Sequence, residues 1–364
     1  MKKRICHVTC VHNPFDTRIF HKECKSLTAE YEVYLIAPNI GDQIVDNVHI
    51  CGVQLQKSRL KRMLNQKVIL EKMIEIDAVS YHFHDPELLP LGPKIKKRGK
   101  VAIFDCHEDV PLDIICRENI PYPLRKLLSI GYARYEKQSF RKYDALISVT
   151  PTIVNRLKSV NENTVQITNY PILEVKEDNR KWGNCIGFIG GIGPSWNHIN
   201  ILKSIEDIQV KYALAGKDDT GYANELRNMP AWSKVDYRGF IKHEDAIQLL
   251  NDCSIGMALY CNDAYFYGNY GSLGNTKLFE YMMVGIPVIA SNYVLWKEIV
   301  DKYNCGICVN PHNVGEISDA INYLLNHRDE AKKMGDNGRY AIEKEYNWDT
   351  QATILLDLYK NLLG

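Results

Sequence analysis

The 364-residue sequence contains no uninterrupted apolar run of about 18 residues, no internal repeat and no low-complexity tract. The missing apolar run argues against a membrane-spanning helix, which needs about 20 such residues. The first residues, MKKRICHVTCVHNPF, hold only a short apolar stretch broken by His7, which favours a β-strand over a signal peptide. With 45% hydrophobic and 24% charged residues, the composition is that of an ordinary globular protein.

The sequence also has little net charge, +1 at pH 7, but this balance hides an asymmetry. Residues 1–173 carry 26 Lys and Arg against 19 Asp and Glu, or +7. The remainder carries 45 − 26 = 19 against 44 − 19 = 25, or −6. The two halves are therefore expected to have different partners.

Cysteine is not scarce, since there are 11 in the chain. Without a signal peptide, they indicate free thiols in a reducing cytoplasm. The pair Cys305 and Cys308 has the C-x-x-C spacing of a zinc or redox motif. It lies in an apolar strand pattern, CGICVN, and no second pair exists to complete a zinc site.

Strand and helix patterns alternate through most of the chain. In the first half, strand patterns at 4–11, 32–37, 48–53, 78–83, 101–106, 145–149 and 165–168 are separated by helical ones. A polar connection at 174–183 follows, and the alternation then restarts. This order predicts an α/β protein with two doubly wound parallel sheets, in domains covering 1–173 and 181–346.

In open α/β sheets, ligands bind at the carboxyl ends of strands. In the second half, the helical segment that begins at Lys277 follows Gly274, Asn275 and Thr276. Free N–H groups at a helix start, next to a lysine, form an anion site. Glu280, one turn further, is suited to accept hydrogen bonds from a ribose diol. The alternative is an ordinary surface Lys–Glu pair.

A glycine-rich loop, Gly190, Gly191 and Gly193, follows another strand pattern in the second half and can approach a pyrophosphate. Trp196 occupies the third glycine position of the dinucleotide motif G-x-G-x-x-G, which argues against a nicotinamide oxidoreductase. The stretch 260–270 collects tyrosines around Asn262 and Asp263, which is typical of either a sugar-stacking loop or a partly buried surface loop.

Three polar loops follow strands of the first half. The first contains Asp16, a candidate helix cap, and Arg18, which capping does not explain. The other two are HFHDPE and DCHEDVP, with His84, Asp85, His107 and Glu108. Histidines and carboxylates close in space are also metal ligands. The rival interpretation is therefore a metal-dependent hydrolase or deacetylase that uses these four residues. The presence of a second α/β unit with its own anion site argues against it.

The segments GNTKLFEYMMVGIPVIAS, VHNPFDTRIFHKECKSL, HDPELLPLG and DCHEDVP together resemble the retaining glycosyltransferases of family 4, in a bacterial polysaccharide-assembly subgroup. The family pattern has two glutamates eight positions apart. Here the second matches Glu280, but Ser272 stands at the first position. The resemblance covers nearly the whole chain.

The resemblance implies the GT-B fold, which has two facing Rossmann-like domains and a cleft between them. The first domain would face the acceptor and include a crossover helix, 347–364. The second would bind a UDP- or GDP-linked sugar, with backbone at Phe240 and Ile241 against the base. His107 would contact the transferred sugar, and the Asp16–Arg18 loop would face the donor phosphates and the acceptor.

By the same resemblance, the reaction retains the anomeric configuration and needs no metal or other cofactor. The acceptor would be a saccharide or a lipid-linked saccharide, as in capsule or exopolysaccharide synthesis. Basic clusters at 57–64, 94–100 and 125–141 lie beside Leu, Met and Tyr. They favour a cytoplasmic protein held peripherally at an anionic membrane surface, the inner face of the cell membrane. Solvated helix faces are the alternative, and no nucleic acid partner is expected.

Overall fold

The structure, a computed structural model, describes residues 2–55, 66–173, 180–261 and 267–364. The chain forms two compact α/β units. The first consists of Met1–Asn169 together with Trp348–Gly364, and the second of Tyr170–Asn347. Each unit is built around one sheet.

The sheet of the first unit has eight strands in the order β3-β4-β2-β1-β5-β6-β7-β8. Neighbouring strands are parallel except β3 and β4, which are antiparallel. The strands are β1 (Arg4–Val8), β2 (Glu32–Pro38), β3 (Gln43–Val45), β4 (Val48–Val53), β5 (Ser80–Phe83), β6 (Val101–Cys106), β7 (Ala145–Ser148) and β8 (Thr164–Gln166).

Helices connect these strands, as the alternating sequence pattern predicts. They are α1 (Thr17–Cys24, a π-helix), α2 (Lys25–Leu27), α3 (Gln66–Ile76), a 3-10 turn (Pro86–Leu88), α4 (Leu91–Lys96), α5 (Val110–Cys116), α6 (Tyr122–Phe140) and α7 (Pro151–Lys158). The sequence pattern places the start of the third helix at Leu60, which lies outside the described residues.

The sheet of the second unit has six strands in the order β11-β10-β9-β12-β13-β14, all parallel. The strands are β9 (Cys185–Ile189), β10 (Lys211–Ala215), β11 (Val235–Gly239), β12 (Ile255–Ala258), β13 (Val288–Ser291) and β14 (Gly306–Val309). The helical elements are two 3-10 turns (Pro194–Trp196 and Pro230–Lys234), α8 (His198–Ser204), α9 (Tyr222–Leu226), α10 (His243–Asn251), α11 (Lys277–Val284), α12 (Val294–Tyr303), α13 (Val314–Asn326) and α14 (Arg328–Lys344). The prediction of two parallel-sheet α/β domains is confirmed.

The last helix, α15 (Trp348–Leu363), packs on the first unit rather than on the unit that precedes it in the chain. The indole Nε1 of Trp348 donates to Ser26 Oγ over 2.8 Å, and Gln351 Oε1 accepts from the Thr168 amide over 2.8 Å. Leu355 and Tyr359 are buried in the same core as Ile5 of β1. The chain thus returns to complete the hydrophobic core of its first unit.

Two elements of the first unit differ from the sequence-based prediction. The hairpin β3–β4 turns through Asp46 and Asn47, which have φ values of 49° and 63°. Positive φ at both central residues is the geometry of a tight two-residue hairpin. The segment between β6 and α6, read as a loop, contains α5, whose first turn is capped by the Asp109 side chain.

All eleven cysteines are free, as the composition predicts. Burial raises the pKa of both Cys305 and Cys308 to about 12, so these thiols stay protonated near neutral pH. Among the residues that the structure describes, no helix is both long enough and apolar enough to cross a membrane.

Candidate functional site

A pocket of about 370 Å³ opens at the carboxyl ends of β9, β10 and β11 and at the start of α11, within the second unit. We call it the second-unit pocket. Its size lies within the range of small-molecule sites. It is lined by Ile189, Gly190, Gly191, Ala215, Gly216, Lys217, Phe240, Ile241, Ala246, Thr276, Lys277 and Glu280. Seven of the predicted binding residues therefore meet at one place, whereas Gly193, Gly274 and Asn275 do not line it.

Lys277 is the central cation of this pocket. Its Nζ lies 3.9 Å from the centre of the Trp196 ring and 5.5 Å from that of Phe188. Burial lowers the pKa of Lys277 to about 8, and the charge of Glu280 opposes this effect only in part. A cation that is stripped of water in this way is ready to pair with an anion that enters the pocket.

Two glycines allow close packing beside Lys277, one against the lysine itself and one against the backbone of the first. Gly190 has a φ of 136°, and a Cβ atom there would overlap the aliphatic end of Lys277. Gly216 has a φ of 152°, and its Cβ would overlap the carbonyl of Gly190. The backbone can approach the pocket this closely only because both positions lack a side chain.

Glu280 stands one turn into α11, where the Thr276 hydroxyl donates to its Oε1 over 3.0 Å. Its other oxygen remains suited to bind a diol. Before the helix, Asn275 Oδ1 accepts from the Lys277 amide over 3.2 Å. Ser272 Oγ accepts from the Gly274 amide over 3.1 Å, so this serine stabilises the turn that leads into α11.

The binding residues predicted from the sequence do not include Gly216 and Lys217, which also line the second-unit pocket. Both follow β10 in the segment AGKD, at the carboxyl end of a strand, and this position is the signal that points to them. Phe240 is 77% exposed at the pocket rim. Of the aromatic stretch 260–270, residues 262–266 lie outside the described part of the chain, and Tyr260 is buried edge-on against Trp196.

A second group of polar residues gathers at the carboxyl ends of β1, β5 and β6 in the first unit. His12 and His107 lie with their ring centres 5.3 Å apart. His12 Nε2 is 3.3 Å from Asp85 Oδ1, and His12 Nδ1 is 3.7 Å from Asp16 Oδ2. His12 is absent from the predicted site residues, although it follows β1 in the same loop as Asp16.

These carboxylates control the ionisation of His12. Burial lowers its pKa, but the hydrogen bond with Asp16 and the charges of Asp85 and Asp16 outweigh burial, so the pKa is raised overall. Asp16 also caps α1, since its Oδ1 accepts from the amides of Arg18 and Ile19 over 2.8 and 3.0 Å. The predicted cap is therefore present at Asp16.

Arg18 turns into the protein interior, where it is 6% exposed. Its Nε and one terminal nitrogen donate to both oxygens of Asp105, over 2.7 and 3.0 Å. The same Nε lies 3.1 Å from Glu23 Oε1. In this structure Arg18 forms a buried bidentate ion pair instead of extending from the loop surface.

The four residues of the hydrolase interpretation do not form one ligand set. Asp85 Oδ2 is occupied by the Thr9 hydroxyl and the Cys10 amide, and Glu108 is exposed. Within the described ranges, the ligand atoms that do converge, all within 4.8 Å of one another, belong to His7, Glu23, His82 and His84. Two of these, His7 Nδ1 and His84 Nε2, are hydrogen-bonded to each other over 2.9 Å.

Comparison with known families accounts for both units. Residues 17–169 match the family described as Glycosyltransferase Family 4, and residues 173–341 match Glycosyl transferases group 1. A GDP-mannose-dependent alpha-(1-6)-phosphatidylinositol monomannoside mannosyltransferase of Mycobacterium tuberculosis is 36% identical over 81 residues, 22% of this chain and 21% of that protein. The match thus spans about a fifth of the length of that relative.

A longer match links the chain to an uncharacterised glycosyltransferase of Methanocaldococcus jannaschii, 23% identical over 256 residues, 63% of this chain and 61% of that protein. Among solved structures, sucrose-phosphate synthase from Thermosynechococcus elongatus aligns with a TM-score of 0.77 at 16% identity, over 99% of both chains. Anabaena HepE in complex with UDP and glucose aligns with a TM-score of 0.72 at 13% identity, over 99% of this chain and 100% of that one. These likenesses establish the fold.

Proposed function

We propose that this chain, which has the GT-B fold and matches glycosyltransferase families in both units, is a glycosyltransferase that transfers a sugar from a nucleoside-diphosphate sugar to a saccharide acceptor with retention of configuration. The observation that carries the proposal is the second-unit pocket, which combines a desolvated lysine, a glycine-rich loop and a carboxylate. The donor is linked to UDP or GDP. UDP occupies the HepE structure, and a GDP-mannose enzyme is among the relatives.

In the proposed reaction, the second unit stabilises the departing diphosphate. Lys277 and the amides of the Gly190–Gly191 loop supply positive potential where negative charge develops. Glu280 holds the ribose through one carboxylate oxygen. The backbone at Phe240 and Ile241, on the pocket rim, lies against the base.

In the first unit, His107 contacts the transferred sugar. It follows β6 and is packed beside His12, so a histidine pair stands at the end of the central strands. No metal and no further cofactor is needed, because Lys277 and the backbone amides stabilise the negative charge of the leaving group as a metal ion would. The leaving phosphate accepts the proton of the acceptor hydroxyl.

A donor screen tests this function directly. The purified protein is incubated with UDP- and GDP-sugars and an oligosaccharide mixture, with a chelator present, and release of nucleoside diphosphate is measured. We expect release from one donor class, and His107→Ala lowers turnover while the affinity for UDP or GDP is unchanged. His49→Ala, on β4, serves as the control. If no nucleoside diphosphate binds in a thermal-shift panel, the proposal is wrong.

We also propose that the acceptor is lipid-linked, in cell-surface polysaccharide synthesis, and that the first unit binds an anionic membrane through α6. Six large apolar side chains on this helix are between 41% and 66% exposed: Tyr122, Leu124, Leu127, Leu128, Ile130 and Tyr135. Exposed Lys126, Arg134 and Lys137 lie among them, whereas the single acid of the helix, Glu136, is buried. An exposed apolar and basic helix is typical of an interfacial membrane contact.

The other two basic clusters, 57–64 and 94–100, give less support to membrane binding. Residues 57–64 lie outside the described residues. In the stretch 94–100, Lys96 pairs with Asp144 and Lys100 with Asp77, so part of its charge is neutralised. The membrane proposal therefore rests on α6.

A further inference from the structure

Asp105 is the centre of a buried polar network that extends from His107 to the last helix of the chain. Its carboxylate is not exposed, and Arg18 donates to both of its oxygens. Oδ2 also lies 3.5 Å from His84 Nδ1 and 3.7 Å from His107 Nδ1. The carboxylate thus faces one arginine and two imidazole rings.

The charge on Asp105 is well defined. Burial alone would raise the pKa of Asp105, but the Arg18 guanidinium, and to a smaller extent the facing His107 and His84 rings, hold it well below its usual range. Burial lowers the pKa of His84, so this ring is neutral at neutral pH. A neutral imidazole carries one proton, and the groups that it faces decide which nitrogen holds it.

The two nitrogens that face Asp105, His84 Nδ1 and His107 Nδ1, are buried and have no hydrogen-bond partner among the residues that the structure describes. A nitrogen lone pair held against a buried carboxylate would be repelled, whereas an N–H in the same place is attracted. The proton of each ring therefore belongs on Nδ1. For His84 this leaves Nε2 as an acceptor.

The remaining contacts agree with that assignment. His84 Nε2 accepts from His7 Nδ1 over 2.9 Å, which places the His7 proton on Nδ1. His7 Nε2 then accepts from the Tyr359 hydroxyl over 3.3 Å. The Tyr359 oxygen in turn accepts from His82 Nδ1 over 3.1 Å. If the His84 proton stood on Nε2 instead, its Nδ1 lone pair would face the carboxylate.

We propose that Asp105 is a positioning residue that fixes the His107 imidazole with its proton on Nδ1, so that His107 Nε2 is a hydrogen-bond acceptor for a hydroxyl of the transferred sugar. The chain Tyr359–His7–His84 holds Asp105 in place from the other side, and Arg18 keeps it ionised. The role assigned to His107 Nε2 rests on the proposed function. The tautomer itself does not depend on it.

The same cluster suggests a competing use, since His7, Glu23, His82 and His84 converge. Two features favour the hydrogen-bonded chain over a metal. His7 Nδ1 and His84 Nε2 are 2.9 Å apart with their ring centres 5.2 Å apart, so the two nitrogens point at each other and not at a common ion. Burial also raises the pKa of Glu23, which favours a neutral carboxyl group over a charged ligand.

Nitrogen-15 NMR of the histidine-labelled wild-type protein at neutral pH tests the tautomer. The His107 signals are assigned by their loss in His107→Gln. We expect a protonated Nδ1 and an unprotonated Nε2 for His107, and the same for His84. A His107 ring that is protonated on Nε2, or that averages between the two forms, would overturn the proposal. So would stoichiometric zinc in the purified protein, because these nitrogens would then be ligands.

Kinetics of Asp105→Asn provide a second test. The neutral amide of this variant would no longer hold the ring by charge, and we expect kcat to fall by about ten- to a hundredfold. The donor KM and the affinity for UDP or GDP should stay within about twofold, because the nucleotide pocket belongs to the other unit. Asp113→Asn is the matched control, since Asp113 pairs with Arg117 on the surface of α5.

The outcomes separate the two proposals. If Asp105→Asn folds and keeps wild-type kcat, the positioning role is wrong, whereas the transferase function stands. If no nucleotide-sugar is turned over, the proposed function fails, and the NMR spectrum still decides the tautomer. If Asp105→Asn does not fold, the spectrum of the wild-type protein carries the test alone.

Discussion

Lys277 lies with its Nζ 3.9 Å above the centre of the Trp196 ring. The indole face attracts the ammonium group and keeps it at the edge of the glycine-rich loop. Trp196 is the residue that breaks the dinucleotide motif. This position carries a ring that binds the Lys277 ammonium group, so the loop and α11 together place a positive charge at the second-unit pocket.

The pH dependence of diphosphate binding follows from Lys277. In the free protein its pKa is about 8, and a bound diphosphate favours the charged form. Above pH 8 binding must therefore take up a proton, and the affinity falls, by up to about tenfold per pH unit. Below pH 8 Lys277 is already charged, so it does not make the affinity depend on pH. Calorimetry with UDP and GDP between pH 7 and pH 9.5 measures this.

The control for that prediction is Lys277→Arg. Arginine keeps its charge throughout this range, so the variant should lose most of the slope. Lys277→Met should lower the affinity by about ten- to a hundredfold at pH 7, since a charge-assisted contact is worth about 1.5–3 kcal/mol. Equal slopes in the wild-type protein and the arginine variant would show that another group titrates.

Glu280 offers a test of the ribose contact. Glu280→Ala should remove a charge-assisted hydrogen bond worth about 1.5–3 kcal/mol and lower the donor affinity by about ten- to a hundredfold, with the melting temperature unchanged. Glu298→Ala, an exposed glutamate on the neighbouring α12, is the control. Unchanged donor affinity in Glu280→Ala, measured by calorimetry, contradicts the assignment.

The sequence predicts the candidate sites of both units only in part. Polar residues at strand ends identify His107, Asp16 and the second-unit pocket, because strand ends of a parallel sheet meet at one edge. The direction of Arg18 was not predictable. Its partner Asp105 is 87 residues away in the chain. The local sequence around a loop arginine does not indicate whether its side chain points towards solvent or into the protein.

Local sequence patterns also did not predict two short elements whose formation depends on tertiary contacts. The edge strand β3 has only three residues, and its pairing with β4 depends on the turn at Asp46 and Asn47. Helix α5 has a single buried residue, Val110, so its sequence lacks the apolar periodicity that marks the longer helices. Short elements with one buried contact give a weak pattern.

Glu23 makes a prediction about stability. Burial and the neighbouring Asp105 raise its pKa in the folded protein. At pH values between the pKa of Glu23 in the unfolded chain, near 4.5, and its higher pKa in the folded protein, the folded state binds more protons than the unfolded state. The contribution of Glu23 to the stability of the protein therefore falls as the pH rises. Glu23→Gln cannot ionise and should gain stability relative to the wild-type protein as the pH rises above about 5, by up to about 1.4 kcal/mol per pH unit until the pH reaches the raised pKa of Glu23.

Urea unfolding of both proteins at several pH values gives the difference in the free energy of unfolding. Glu298→Gln, which changes an exposed group, should show a difference that does not vary with pH. A constant difference for Glu23→Gln as well would mean that Glu23 is ionised in the folded protein throughout this range.

The membrane surface on α6 is tested by placing an acidic group at one of its apolar contacts. Leu127→Glu should abolish co-sedimentation with anionic vesicles at low salt, because it adds a negative charge where Leu127 is 66% exposed. Ile44→Glu on β3 is matched in exposure, also 66%, and should bind like the wild-type protein. Neutral vesicles and high salt should both weaken binding. Failure of the wild-type protein to bind anionic vesicles at low salt would indicate a soluble acceptor.

Helix α15 has a consequence for how the protein is made. Trp348, Leu355 and Tyr359 are part of the core of the first unit, yet the ribosome synthesises them after the whole of the second unit. The first unit therefore waits, with part of its apolar core uncovered, while the second unit is translated. An isolated fragment ending at Asn169 should aggregate, and adding the α15 peptide in trans should rescue it. Folding of the first unit is thus completed by a step that joins α15 to strands synthesised long before it.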